Sequence, residues 1–439
     1  MVLKASFSQV DSKTYSKRMG TRVTEWLVIL LFIAFHLYGI GVVQVGELSL
    51  AIWDIVIVFF AFLILFRFYI RNIPIKISNI FGISKMIFIL SIILTIWITF
   101  RALFSPLPER ALTMVLIQML NTCVLIMIIT SEDLNLYKIN MHLLWVGAGL
   151  AVIAIGLYIS GLSQYERIIA NSNLQHPSVG YYLDSGGVLR LIGLAKDPNF
   201  YSLWMTPLLI TGLIRGRFST VLWLPIALSV GMALSRSFFI AILFTSLALT
   251  PMLWSARALR KYIIRIITVP LLMISVILCV SVLWTDTEYI SKRIELAEKT
   301  IRFERWHILN HAIVEDWNPI WGSGLRSTEL LLGGKYSHST YLDALFETGL
   351  TGFSLWLAIL ILVSLLCLNC IKSANSELLP WIYTWFVLLI MFFSFSLLYH
   401  PFTWMVIGIL VNGIRTPSTS KLHTFVGMHA SLTSRGQGI

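Results

Sequence analysis

The chain has 439 residues, of which 57% are hydrophobic and 12% charged, with a mean hydropathy of +0.82. That composition excludes a soluble enzyme and makes the bilayer its solvent. The net charge of +12 does not point to nucleic acid, because no compact soluble segment carries a basic face with interleaved aromatics.

A helix needs about 20 mainly apolar residues to cross the roughly 30 Å hydrocarbon core, and such runs follow one another almost end to end. Twelve are predicted, near 25–43, 47–66, 84–104, 111–130, 141–160, 197–214, 218–234, 235–254, 266–285, 339–368, 380–398 and 398–414. The expected fold is an all-α polytopic membrane protein, one transmembrane domain over 23–415 between flexible tails at 1–22 and 416–439. Positive charge near a helix end stays on the cytoplasmic side. Lys4, Lys13, Lys17, Arg18 and Arg22 therefore place the N-terminus inside. Alternation then puts Arg67, Arg71, Lys76, Arg215, Arg217, Arg257, Arg260, Lys261 and Arg265 inside, together with a tail holding Arg415, Lys421 and Arg435.

The N-terminus lacks the pattern of a cleavable signal peptide, so the first helix is expected to remain as an anchor. Cys123, Cys279, Cys367 and Cys370 all fall in or beside spans and imply no disulfide framework. Cys367 and Cys370 have CxxC spacing without a second ligand pair, which favours packing over zinc. Asp54, within the second span, is treated as structural.

Two segments interrupt the apolar runs, and both fall outside the cytoplasm in this topology. The first, 161–196, is polar and ends in Asp197-Pro198-Asn199, where Asp can cap a helix whose first turn accepts Pro. The second, 286–338, is expected to be helical over 289–316, with Arg302, Trp306, Leu309 and Ile313 sharing a face. Asn318-Pro319 ends that helix, and Trp321-Gly-Ser-Gly324 forms a turn. His307 and His311 stand four apart on it, but the Glu of a zinc-protease motif is missing, and a structural role is the simpler account. Trp317 and Trp321 could stack on sugar faces, although interfacial anchoring is their commoner use.

The run Tyr336-Ser-His338-Ser-Thr-Tyr-Leu-Asp-Ala-Leu-Phe-Glu347-Thr-Gly349-Leu-Thr-Gly352 resembles the His-(Asn/Ser)-x-x-Leu, Glu-x-Gly-x-x-Gly signature of the O-antigen polymerase and O-antigen ligase superfamily. Other elements agree in order. Arg190-Leu-Ile-Gly193 with Asp197-Pro-Asn199 is similar to its Arg-x-x-Gly and Pro-Asn segment, and Ser235-Arg236 to its Ser-Arg element. Arg305-Trp306 and Asn318-Pro319-Ile-Trp-Gly322-Ser-Gly324 resemble its Arg-x-x-x-Trp and Pro-Leu-x-Gly-x-Gly region.

The resemblance implies a GT-C-like glycosyltransferase of the bacterial inner membrane, working on its outer face without metal or cofactor. Its substrates would be undecaprenyl-pyrophosphate-linked oligosaccharides, and its partners a chain-length regulator and a flippase of the same pathway. Negative charge builds on the departing pyrophosphate, and guanidinium groups suit it because they stay charged and pair two oxygens at once. Arg190, Arg302, Arg305 and Arg236 are the candidates for that grip, although loop solvation, ion pairing or snorkelling would also account for them. His338 is the candidate catalytic group, since an imidazole can accept the acceptor hydroxyl's proton near neutral pH. Asp197 and Asn199 would support the site. Glu347, about two and a half turns past His338, is too far along the helix to touch it and is expected to brace backbone or a neighbour. Two alternatives stay open: a ligase moving glycan to lipid A core, and a twelve-helix transporter or flippase for the same lipid-linked sugars. Against the transporter, the polar residues gather in loops, not at mid-membrane.

Overall fold

The computed structural model describes residues 22–37, 41–45, 48–51, 82–131, 134–160, 180–183, 189–195, 197–215, 217–257, 259–268, 301–315, 317–334, 337–372 and 375–414, with a few isolated positions besides. Its helices are α1 (22–36), α2 (Ile83–Ala102), α3 (Pro108–Thr130), α4 (Leu136–Ile159), α5 (Pro198–Arg215), α6 (Arg217–Met232) and α7 (Arg236–Ser255). They continue with α8 (Ile301–Glu315), the short α9 (Ser327–Leu331), α10 (Thr340–Lys372), α11 (Leu379–Met391) and α12 (Pro401–Gly413). Five of them, α2, α3, α4, α7 and α10, are long and apolar enough to cross a membrane.

Burial sorts the helices into two kinds. Every residue of α12 is buried, and α5 and α11 are nearly so. A helix apolar all round can be stable only inside other protein or lipid, and these three form the centre. α12 packs on α3, and α11 on α5 and α7. The longer helices stand around them and expose Ile89, Ile96, Leu116, Trp145, Val152, Phe244, Leu247 and Ile361. Such a shell of large apolar side chains would be costly in water and is neutral in lipid.

Lipid tails are as apolar as the core, so polar contacts must help specify which helices pair. Asn412 of α12 donates to the carbonyls of Ile128 and Ser131 at the end of α3, at 2.8 and 2.6 Å. Asn140 of α4 donates to Glu377 O and accepts from the Trp381 indole at 2.8 Å. Tyr383 of α11 bonds Ser246 and donates to Ile242 O, both on α7.

The predicted spans at 84–104, 111–130, 141–160, 197–214, 218–234, 235–254, 339–368, 380–398 and 398–414 each overlap an observed helix. The first ends early. α1 stops at 36, and β1 (Gly41–Val45) pairs antiparallel with β2 (Leu48–Ala51), with Val45 opposite Leu48. The all-α expectation therefore gains a hairpin where two spans were expected to meet. The alternating Val-Val-Gln-Val and Leu-Ser-Leu pattern is a strand pattern, hidden because valine and leucine also satisfy a hydropathy count. A second hairpin, β3 (Gly180–Leu183) with β4 (Leu189–Gly193), lies in the polar segment 161–196, for which no strands were predicted. Most of the predicted spans 47–66 and 266–285, both tails, and residues 161–179 and 286–300 lie outside the described residues.

The central position of α12 has a measurable consequence. Trp404 is fully buried whereas Trp145 is 63% exposed. Trp404→Ala should cost about 3–5 kcal/mol and Trp145→Ala less than about 0.5 kcal/mol, compared as thermal unfolding in one detergent.

Candidate functional site

Two groups of the expected residues assemble at one end of the bundle. The first is built on β4. Arg190 stands opposite Tyr182 in the hairpin, and the chain turns at Gly193 in a left-handed conformation before entering α5. Asp197 caps that helix, its Oδ1 accepting from the N–H groups of Asn199 at 2.7 Å and Phe200 at 3.3 Å. The Arg190 guanidinium donates to Ala233 O at 3.2 Å and to Asn199 Oδ1 at 3.3 Å. Ser235 donates to the same Asn199 oxygen at 2.5 Å and also accepts from Phe238 N as the cap of α7. Arg236, the first residue of α7, is exposed beside this network. Residues far apart in sequence thus meet where α5 and α7 begin.

The second group is built on α8 and the start of α10. The Trp306 indole donates to Ser337 O at 3.0 Å, and Leu309 packs with Leu332 and Phe346. These contacts tie the helix that carries Arg302 and Arg305 to the turn that carries His338. Arg305 is half-buried, and for Arg302 only the backbone is described. The Ser337 hydroxyl bridges over His338, accepting from Ser339 N at 2.9 Å and donating to Ser339 O at 3.1 Å. His338 itself is half-buried with φ of 59°, a left-handed conformation that costs an L-residue on the order of 1–2 kcal/mol.

The turn between α11 and α12 joins the two groups. Thr340 N donates to Phe392 O at 2.8 Å and to Phe395 O at 2.9 Å. Leu397 N donates back to the Thr340 hydroxyl at 2.8 Å. On the other side of this turn, Phe200 of α5 packs against Phe395 and His400 with ring centroids 5.4 Å apart in each pair. The starts of α5 and α10, and with them Asn199 and His338, are therefore held by one nine-residue turn, 392–400.

Glu347 is placed differently from His338. α10 is broken at Gly349, with φ of 68° and ψ of −177°. The Pro319–Gly324 turn fills the break: Leu350 N donates to Pro319 O at 2.7 Å, Ser323 N to Phe346 O at 2.8 Å and Gly324 N to Glu347 O at 3.1 Å. A Cβ on Gly322 would lie 2.4 Å from Gly349 N, and one on Gly349 2.4 Å from Ile320 O. Only two glycines allow the backbones to meet so closely. α2 closes the assembly, with Arg101 donating to Gly322 O at 3.1 Å and Trp97 to Thr348 O at 3.0 Å. Trp321 stacks on Trp97.

Beneath this junction the buried Glu347 carboxylate lies beside the backbone N–H of Arg326 and the hydroxyl of Thr328. Arg326, itself left-handed at φ of 65°, pairs with Glu329 at 2.7 Å, and Glu329 also pairs with Arg110. Asp343, one turn into α10, accepts from Ser396 and lies near Ser337 and Arg326. Buried charges need such partners. Sequence reading missed Arg326, Glu329, Arg110, Asp343, Arg101 and Trp97. Their partners come from separate helices, and no spacing along the chain encodes them. Among the described residues no three His, Cys, Asp or Glu side chains gather as a metal would require.

A family model described as O-antigen ligase matches residues 220–357. The matched segment contains Arg236, Arg302, Arg305, the glycine junction, His338 and Glu347, and the resemblance to the O-antigen polymerase and ligase superfamily holds there. No curated protein matches the chain. The likeness to that family together with the five long apolar helices fits a multi-pass membrane protein.

The junction makes a strong demand on sequence. Gly322→Ala and Gly349→Ala should each cost more than about 3 kcal/mol and yield protein that aggregates on detergent extraction. Gly149→Ala, in open space on α4, should leave the elution profile unchanged.

Proposed function

We propose that the protein is a metal-independent glycosyltransferase that polymerises undecaprenyl-pyrophosphate-linked oligosaccharide repeats into O-antigen, capsule or exopolysaccharide on the outer face of a bacterial inner membrane. The observation that carries this reading is the gathering of Arg190, Asn199, Arg236, Arg305 and His338 at one end of the bundle, within and beside the family-matched segment. Twelve spans with both termini cytoplasmic place that end outside. Support comes from the opposite end, where Arg215 pairs with Glu377 and Arg265 donates to Leu213 O and Ile214 O, since cationic helix ends stay inside. The unit 23–415 then acts as one transmembrane catalytic domain between two cytoplasmic tails.

In the reaction the acceptor hydroxyl oxygen attacks the anomeric carbon of the donor glycan while the bond from that carbon to the pyrophosphate oxygen breaks. The proton leaves for the His338 imidazole, and the electron pair stays on the lipid pyrophosphate. Arg190, Arg302, Arg305 and Arg236 bind the departing diphosphate, where fixed guanidinium groups stabilise developing charge without reorganisation. The Ser337 bridge and the left-handed backbone hold His338 in one orientation. Asp197 and Asn199 keep the Arg190 side in register, and Glu347 braces the broken helix. A chain-length regulator and a flippase are the expected partners. The ligase reading, transfer to lipid A core, is favoured by the description of the matched family. It uses the same groups with a different acceptor.

Purified protein given a synthetic polyprenyl-pyrophosphate oligosaccharide in EDTA should produce a ladder of longer lipid-linked glycans. His338→Ala should slow it by about 10²–10⁴-fold, and Arg305→Lys should weaken it because a point charge replaces a fork. A ladder undiminished in His338→Ala removes the catalytic assignment. A single transfer to added lipid A core without a ladder marks a ligase, and lipid movement across sealed liposomes without new glycan bonds marks a transporter.

A further inference from the structure

Trp321 and its neighbours form a surface outside the groups proposed for the reaction. Trp321 stacks on Trp97 with ring centroids 5.3 Å apart, and Phe100 lies 5.9 Å from Trp321 and 5.2 Å from Phe104. All but Trp97 are exposed, as are Leu103 and Ile320 beside them. Polar groups run through the patch. The Arg101 guanidinium lies over the Phe104 ring, the Trp97 indole donates to Thr348 O, and Ser105 donates to Leu325 O at 2.6 Å. Rings with a polar edge, mixed with arginine, are the composition of a membrane–water boundary. Farther along the same two helices the exposed side chains are aliphatic, Ile89 and Ile93 on α2 and Leu357, Ile361 and Leu365 on α10.

Lengths place that boundary. α10 has 33 residues, about 50 Å of helix, against a hydrocarbon core of about 30 Å. The break at Gly349 divides it unequally. Residues 350–372 rise about 35 Å and carry no charge before Lys372, whereas residues 340–348 hold Asp343 and Glu347. A second aromatic level lies at the opposite end of the bundle, where Arg260 stands over Trp254 and Arg215 over Tyr137. On α7, Arg236 and Trp254 are about 27 Å apart along the axis, close to one core thickness. The patch continues the lipid-facing shell of α2 and α10 and ends it at this level, which favours lipid over a protein partner as its cover.

We propose that this patch is a lipid-binding surface seated among the phospholipid headgroups and glycerol esters, and that it fixes the edge of the hydrocarbon at the Gly322–Gly349 junction. Lipid holds the Pro319–Gly324 turn against α2 and α10 from outside, while the backbone bonds hold it from within. Asp343, Glu347 and the His338 turn then stand in the headgroup layer, the depth of any lipid-linked diphosphate. The surface depends on the chain spanning a bilayer, and not on the reaction.

Depth decides it, measured on the full chain in nanodiscs of phosphatidylethanolamine and phosphatidylglycerol. Cys123→Ser and Cys279→Ser are made, the buried Cys367 and Cys370 stay, and Leu103→Cys, Ile320→Cys or Ile361→Cys adds one site for a spin label. Collisions of the label with oxygen and with a water-soluble nickel chelate report its depth. Ile320 O accepts from Thr351 at 3.0 Å, and Ile361 lies ten residues farther along α10. The Ile361→Cys label should therefore sit about 15 Å deeper than the other two. Equal depth at all three positions, or free access of nickel to the labels at 103 and 320 alone, overturns the surface. Labels there shielded from both reagents mark a protein cover and overturn it too. Nickel reaching the label at 361 as well overturns the spanning reading itself, and the surface with it. A second measurement leaves every cysteine in place. The fluorescence lost in Trp321→Phe should be quenched more by lipid brominated near the headgroup than by lipid brominated near the chain ends. The reverse order, or no quenching by either, contradicts the assignment.

Discussion

The architecture around His338 depends on one backbone problem, a helix broken inside a membrane-spanning segment. At Gly349 the regular bonding of α10 stops, and amides and carbonyls are left that lipid cannot satisfy. The Pro319–Gly324 turn supplies the missing partners through Leu350, Phe346 and Glu347. Once that turn is zipped into the break, its continuation fixes Arg326 and α9, and its beginning fixes the end of α8. Glycine at 322 and 349 is the condition for contact, so two motifs far apart in sequence are two halves of one device.

A second consequence is the position of charge. Glu347 and Asp343 lie on the turns of α10 that the junction covers, and Arg326 is delivered to them by the same turn. Glu329 then pairs with Arg326 and with Arg110 at the start of α3. These ions link α3, α9 and α10 just below the His338 turn. Above them, residues 392–400 hold the starts of α5 and α10 together through Phe395, Thr340 and Phe200. A basic patch built on flexible loops would give no fixed relation between Arg190 and His338. Here each is bonded to an element that touches the same turn.

Much of this was legible in the sequence. Runs of apolar residues located nine helices within a few residues, because burial in lipid and burial in protein select the same side chains. The cap at Asp197, the stop at Asn318-Pro319 and the tight turn at Trp321–Gly324 followed from local chemistry and are present. The first hairpin was hidden by valines and leucines that satisfy a hydropathy count as well as a strand, and the second lay in a segment read only as polar. The ion cluster at Arg326 was hidden for a different reason. Arg110, Arg326, Asp343 and Glu347 come from three parts of the chain, and their meeting depends on a left-handed residue and a broken helix that no periodicity announces.

The most direct measurement is a structure of the protein in nanodiscs with a non-hydrolysable phosphonate analogue of the lipid-pyrophosphate glycan. The diphosphonate is expected within hydrogen-bonding distance of the guanidinium groups of Arg190 and Arg305, with the His338 imidazole facing the anomeric carbon. A diphosphonate seated instead at the opposite end, beside Arg215 and Arg265, would contradict the account.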